Sequence, residues 1–311
     1  VRLRSIPFLL ALVIAACGGN DAAEPTPAPR VTEETPSGDV EFSTTPPPAP
    51  DDGSSPAVNS IAVDPGDGTI MVGTGPAMFI VPPGAKEGER ALGTLTTPNG
   101  KGTVSGNLVM RFSGPNELLA SGHPQEGNLP ENLPLVRSTD HGKTWEAVPD
   151  TVEADYHELE IAGDRILAVS VDSPDILVSS DGGVNWDKRT PPSAPIDVVV
   201  DPSDPQRWAV STEQGTFVSN DDGATWRPRD PGMGARLAWP KADALYSLDR
   251  NGKLRVSRNG GERFEDAGDV GGLPSELTTG PDGTLYAAVV GGKIRKSADG
   301  GKSWETVATL K

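Results

Sequence analysis

The chain holds one cysteine, Cys17, in 311 residues, so it forms no internal disulfide and keeps no second thiol in reserve. Histidine is nearly as scarce. Any imidazole chemistry rests on His123, His141 and His157. Basic residues are outnumbered, 27 Lys and Arg against 44 Asp and Glu, and the resulting charge of −17 argues against nucleic acid and against lying on anionic headgroups. The apolar run nearest the start, residues 6–16, is far shorter than the roughly 20 residues a helix needs to span a bilayer. A cleaved address is the better reading.

Arg2 and Arg4 make a basic head before that run, and Ile14-Ala15-Ala16-Cys17 resembles a bacterial lipobox. Residues 1–17 are therefore expected to be a lipoprotein signal peptide, with Val1 the product of an alternative start codon and Cys17 acylated. Two or more acyl chains give stable attachment where one is marginal. The implied partner is membrane lipid, and the implied location is the extracytoplasmic side, at the cell surface or in the periplasm. Residues 18–57 are rich in Pro, Asp and Glu, with Arg30 their only base, and lack the apolar bulk to form a core. They read as a disordered tether, and residues 58–311 as the folded domain.

Within that domain a motif Ser-x-Asp-x-Gly-x-(Thr/Asn/Ser)-Trp returns five times. Its copies carry Asp140, Gly142 and Trp145; Asp181, Gly183 and Trp186; Asp221, Gly223 and Trp226; Asn259, Gly261 and Phe264 in a weakened form; and Asp299, Gly301 and Trp304. A step of about 40 residues holding several short strands is the period of a β-propeller. The Asp accepts from backbone N–H groups of its own turn, and the Gly takes the φ > 0 that closes the hairpin. The terminal Trp is expected to bury against its own sheet, worth roughly 2–3 kcal/mol if covered completely.

Each repeat reads as four strands, A to D, with the motif between C and D. The fourth gives Ile196–Val200, Arg207–Ser211, Thr216–Ser219 and a strand from Trp226. Equivalent units begin near Ser60, Leu108, Tyr156, Ala235 and Glu276, which predicts an all-β, six-bladed propeller. The first blade replaces the motif by Pro82-Pro83-Gly84-Ala85-Lys86, and first and last blades are expected to meet without exchanging a strand. C-to-D and A-to-B turns then face one end, the bottom, while B-to-C loops and D-to-A connections face the top. His123–Pro134 is a long acidic, Pro-rich B-to-C loop, the sort of excursion on which function is usually carried.

These motifs resemble the Asp-box (BNR) repeat of sialidases and related propellers. Leu119–Pro124, Tyr156–Leu159 and Leu237–Pro240 are also similar to bacterial Asp-box lipoproteins of sialidase-like or glycosyl-hydrolase-like type. In that family the boxes lie on the rim opposite the binding face. His141, inside a box, is therefore expected at the bottom facing solvent, and His123 and His157 near the top. Convergence of these two with Glu126, Glu131, Asp155 or Glu158 would make a metal or substrate site, since imidazole with carboxylate suits divalent metals. Two histidines alone are not a metal site, so no metal or cofactor is assigned. Sialidase chemistry, as the resemblance implies it, needs three Arg, a Tyr activated by Glu, and an Asp. Tyr156 and Glu158 are the candidates for the pair, but Arg111, Arg236 and Arg250 carry no mark of a triad. The expectation is a non-catalytic module binding a glycan, peptide or protein through its top face, with an exo-acting glycoside hydrolase as the alternative.

Overall fold

The computed structural model describes residues 57–97, 100–123, 129–231 and 234–311, all within the compact unit Glu41–Lys311. The signal segment with Cys17, the tether up to residue 56, and Glu126 lie outside the described residues.

Every described element is a strand. The first meander is β1 (Val58–Val63), β2 (Ile70–Thr74), β3 (Met78–Val81) and β4 (Glu87–Ala91); a hairpin follows, β5 (Gly93–Thr97) and β6 (Gly100–Val104). The second is β7 (Leu108–Gly114), β8 (Glu117–Gly122), β9 (Val136–Ser138) and β10 (Thr144–Ala147), and the third β11 (Tyr156–Ala162), β12 (Arg165–Ser170), β13 (Ile176–Ser179) and β14 (Asp187–Arg189). The fourth is β15 (Pro195–Asp201), β16 (Asp204–Thr212), β17 (Gly215–Ser219) and β18 (Arg227–Asp230), and the fifth β19 (Arg236–Lys241), β20 (Ala244–Leu248), β21 (Lys253–Ser257) and β22 (Glu265–Asp269). The last is β23 (Pro274–Thr279), β24 (Leu285–Val289), β25 (Lys293–Ser297) and β26 (Glu305–Leu310).

Alternation along the first strand of each meander explains the layering. In β15, Val198 and Val200 pack with Leu167, Val169 and Trp208, whereas Val199 faces the other way, onto Leu237, Trp239 and Leu245. A strand buried on both faces serves two cores at once. The same arrangement recurs between every consecutive pair, ending where Val58, Ile61 and Phe79 meet Tyr286, Ile294 and Leu310. First strands touch in the order β1, β7, β11, β15, β19, β23 and back to β1. The domain is an all-β propeller-type ring.

The turns behave as their chemistry requires. In the second meander Ser138 Oγ donates to Asp140 Oδ1 at 2.9 Å and accepts from Gly142 N–H at 2.8 Å, while Thr144 donates its N–H and its hydroxyl to Asp140. Gly142 has φ 78°, as closing the turn demands. Asn259 keeps the Ser257 and Arg263 N–H contacts through Oδ1, but its amide nitrogen cannot act as the second acceptor. Hydrogen bonds from the Asn185 N–H and side chain hold Asp181 down to about 2, and those from Thr225 and Ser303 do the same for Asp221 and Asp299.

Three features depart from expectation. Only Trp145 is completely covered; Trp186, Trp226, Phe264 and Trp304 are half-buried. The reason is the hairpin β5–β6, whose β5 pairs in parallel with β10 and places Leu95 over the Trp145 layer. First and last meanders do not exchange a strand, but their outer edges join through parallel pairing of β26 with β4 at Thr309–Glu87 and Leu310–Gly88. His141 is not a solvent-facing turn residue, because its Nε2 lies 2.7 Å from the buried Asp64 carboxylate in the first meander.

Candidate functional site

The first residues of the inner strands and the B-to-C loops enclose a cavity of about 930 Å³. Its wall includes Val58, Leu108, Val109, Val169, Pro195 and Ile196, with Asn59, Asn107, His123, His157, Asp172 and Arg236 as polar groups. The Asp-box turns lie at the other end with the A-to-B turns. His141, in the Asp box of the second meander, grips Asp64 of the first A-to-B turn, and Arg165, at the A-to-B turn of the third meander, grips Asp222 in the box of the fourth. A second cavity of about 610 Å³ opens at that lower end among Glu160, Asp164, Pro202, Trp239 and Pro281.

Between the two cavities the inner strands carry a charged layer that sequence reading did not assemble. Arg111 from β7 and Arg236 from β19 both pair with Glu158 of β11, and Arg236 Nη2 also lies 2.9 Å from Glu276 of β23. Asp197 of β15 accepts the Leu237 N–H at 2.8 Å. A bulge at the second residue of β11, β15 and β23 turns Glu158, Asp197 and Glu276 to equivalent positions, and Ser60 follows the same irregularity in β1. Glu158, Asp197, Arg236 and Glu276 follow one another at a step of about 40 through the first strands of four successive meanders, and that spacing was the signal that would have found them.

Four carboxylates, Glu158, Glu160, Asp197 and Glu276, share two guanidiniums here. Two carboxylates therefore lack a direct counter-charge, and burial favours their neutral form. Burial pushes Glu160 up to about 8 against the pull of Arg111, and pushes Asp197 up to about 7 with help from Glu158. Burial likewise raises Glu276 despite Arg236. Glu276 chiefly raises Arg236, against the opposing effect of burial. Burial opposes the Arg111 charge too, yet Glu158, Glu160 and Glu276 leave it raised.

The sequence candidates separate accordingly. Tyr156 packs in an apolar layer with its ring 5.4 Å from Trp186, and burial pushes its phenol up to about 12, the opposite of activation. Glu158 has both oxygens engaged by arginines. His123, Asp155 and His157 do converge: the two Nε2 atoms lie 2.6 and 3.0 Å from Asp155 Oδ1, on the rim of the upper cavity. Glu131 is exposed and makes no described contact with them. The second half of the long loop folds down, with Leu133 buried and its N–H on the Gly122 carbonyl at 2.8 Å.

Residues 136–147 match the BNR/Asp-box repeat family model. The chain carries the BNR/Asp-box repeat on a β-propeller. Among curated proteins no sequence matches it. The WD40 β-propeller domain of Doa1 superposes with a TM-score of 0.51 at 12% identity, over 81% of this chain and 83% of that one. The GH74 xyloglucanase from Xanthomonas campestris gives 0.50 at 18% identity, over 82% of this chain but only 45% of its own. YCF48 from Cyanidioschyzon merolae gives 0.47 at 18%, over 83% and 86%. At such identities the likeness is one of fold.

Proposed function

We propose that this Asp-box protein is a six-bladed, lipid-anchored propeller that binds a peptide segment in its upper cavity without catalysis. The observation that carries the reading is how the inner charges are used. Glu158, Glu276, Arg111 and Arg236 are paired with one another, and Asp172 is the only described carboxylate lining the upper cavity. A glycosidase needs two positioned carboxylates. The apolar wall with a few convergent polar groups suits a peptide. Tyr156, its one described aromatic, is too buried to serve a sugar as a stacking platform. Hydrolysis remains the second reading, favoured by the raised Glu160 and Asp197.

The discriminating experiment is selection from a random peptide library, beside a panel of chromogenic glycosides that includes a sialoside. Peptides should be enriched by the native protein and lost on Ile196→Glu, which fills the cavity wall, with no glycoside turned over. Turnover that disappears in Asp197→Asn or Glu160→Gln would replace the proposal by the hydrolase. For the anchor, Cys17→Ser should leave the precursor unprocessed or shift the protein out of the membrane fraction. Unchanged fractionation and mass would refute acylation there.

A further inference from the structure

His123, Asp155 and His157 form a compact donor set on the rim of the upper cavity. His123 directly follows strand β8, its N–H held by the Asn107 carbonyl at 3.1 Å, while Asp155 and His157 flank the first residue of β11. Two imidazoles thus meet one carboxylate oxygen from different strands. Their rings stand edge to face at 88° with centroids 6.3 Å apart, so the two nitrogens aim at a shared point rather than stacking. Among the described residues Asp155 has no other hydrogen-bond donor, and it is mostly shielded, with 14% of its side chain exposed. His157 is open to solvent, which leaves an entry path.

We propose that His123 Nε2, His157 Nε2 and Asp155 Oδ1 bind a divalent first-row transition ion. Donors about 2.0–2.2 Å from a zinc-sized ion stand roughly 3.0–3.5 Å apart, so admitting it requires the present N–O separations to open by less than about 1 Å. Two nitrogens with one carboxylate select Zn²⁺, Cu²⁺ or Ni²⁺ over the all-oxygen preference of Ca²⁺ and Mg²⁺. The protein fills three positions, and two of the three donors, His123 and His157, line the upper cavity. The strongly acidic surface raises the local concentration of any cation.

A superficially equal trio at the lower rim, Asp64, Asp67 and His141, is a different case. The Asp64 carboxylate already accepts from Gly66 N–H at 2.6 Å, from Asn116 N–H at 3.1 Å, and contacts His141, so its lone pairs are committed to joining two turns. This trio provides an internal control.

Equilibrium dialysis of the full-length protein against Zn²⁺ alone, with the visible spectrum of the Co²⁺ form, tests the assignment. One ion per chain is expected. His157→Ala should weaken it by more than the roughly 10–100-fold that loss of a mere outer-shell partner costs, and His123→Ala/His157→Ala should abolish the Co²⁺ bands. His141→Ala should leave both readings unchanged. Because His157 is exposed, its replacement leaves the core intact, and circular dichroism checks this directly. Absence of binding by the native protein, or equal affinity in the double variant, overturns the site.

Discussion

Trp145 and Trp226 hold the same place in their motifs yet carry different loads. The first is fully covered beneath β5, and the second is half-buried beside Trp208. Trp145→Ala is expected to cost about 3–5 kcal/mol in chemical denaturation, the range for large aromatic deletions in cores, and Trp226→Ala distinctly less. Equal losses would contradict the assignment. Glu160 gives a prediction of opposite kind. Its carboxyl is raised from 4.5 to about 8, so the folded state holds a proton that the unfolded chain releases between those values. Its favourable contribution is complete below about pH 4.5 and fades as pH rises towards 8. Urea titrations at pH 5 and 8 should show this fall, and Glu160→Gln should reduce it. An undiminished fall in the variant would remove Glu160 as its source.

Strands were the most legible elements, because alternation and the Asp-Gly turns mark both their faces and their ends. The fourth meander shows it: Ile196–Val200 was expected where β15 spans Pro195–Asp201. The hairpin β5–β6 was missed although Asn99-Gly100, soon after Thr94-Leu95-Thr96-Thr97, is a hairpin signal, since it adds to a blade's outer edge instead of repeating one. The β4–β26 junction was invisible for another reason. Two residue pairs between distant edges leave no period to read. Leu310, fully buried where those edges meet, ties the two ends of the domain together. Leu310→Ala should cost about 2–5 kcal/mol. If its midpoint of denaturation matches the native value, the junction contributes little to closure.

At the scale of the molecule, the repeat period made the ring legible, and with it which loops share an end. The site was less so. His123, Asp155 and His157 were individually visible, and their convergence follows once β8 and β11 are placed side by side. The charged layer escaped because its members come from different first strands, and Arg111, Glu158 and Arg236, though visible one by one, carry no sequence mark of their pairing. Only superposing the repeats aligns Glu158, Asp197 and Glu276. That layer also separates the cavities, and the two ends are chemically unlike, with apolar walls above and hydrogen-bonded aspartate turns below.

The claim that binding occurs at the upper end is tested most directly by hydrogen exchange of the full-length protein with and without a selected peptide. Protection is expected at residues 107–109, 169–174 and 194–196, with the turns at 179–186 and 219–226 unchanged. Protection confined to those Asp-box turns would place the ligand at the opposite rim and contradict the account.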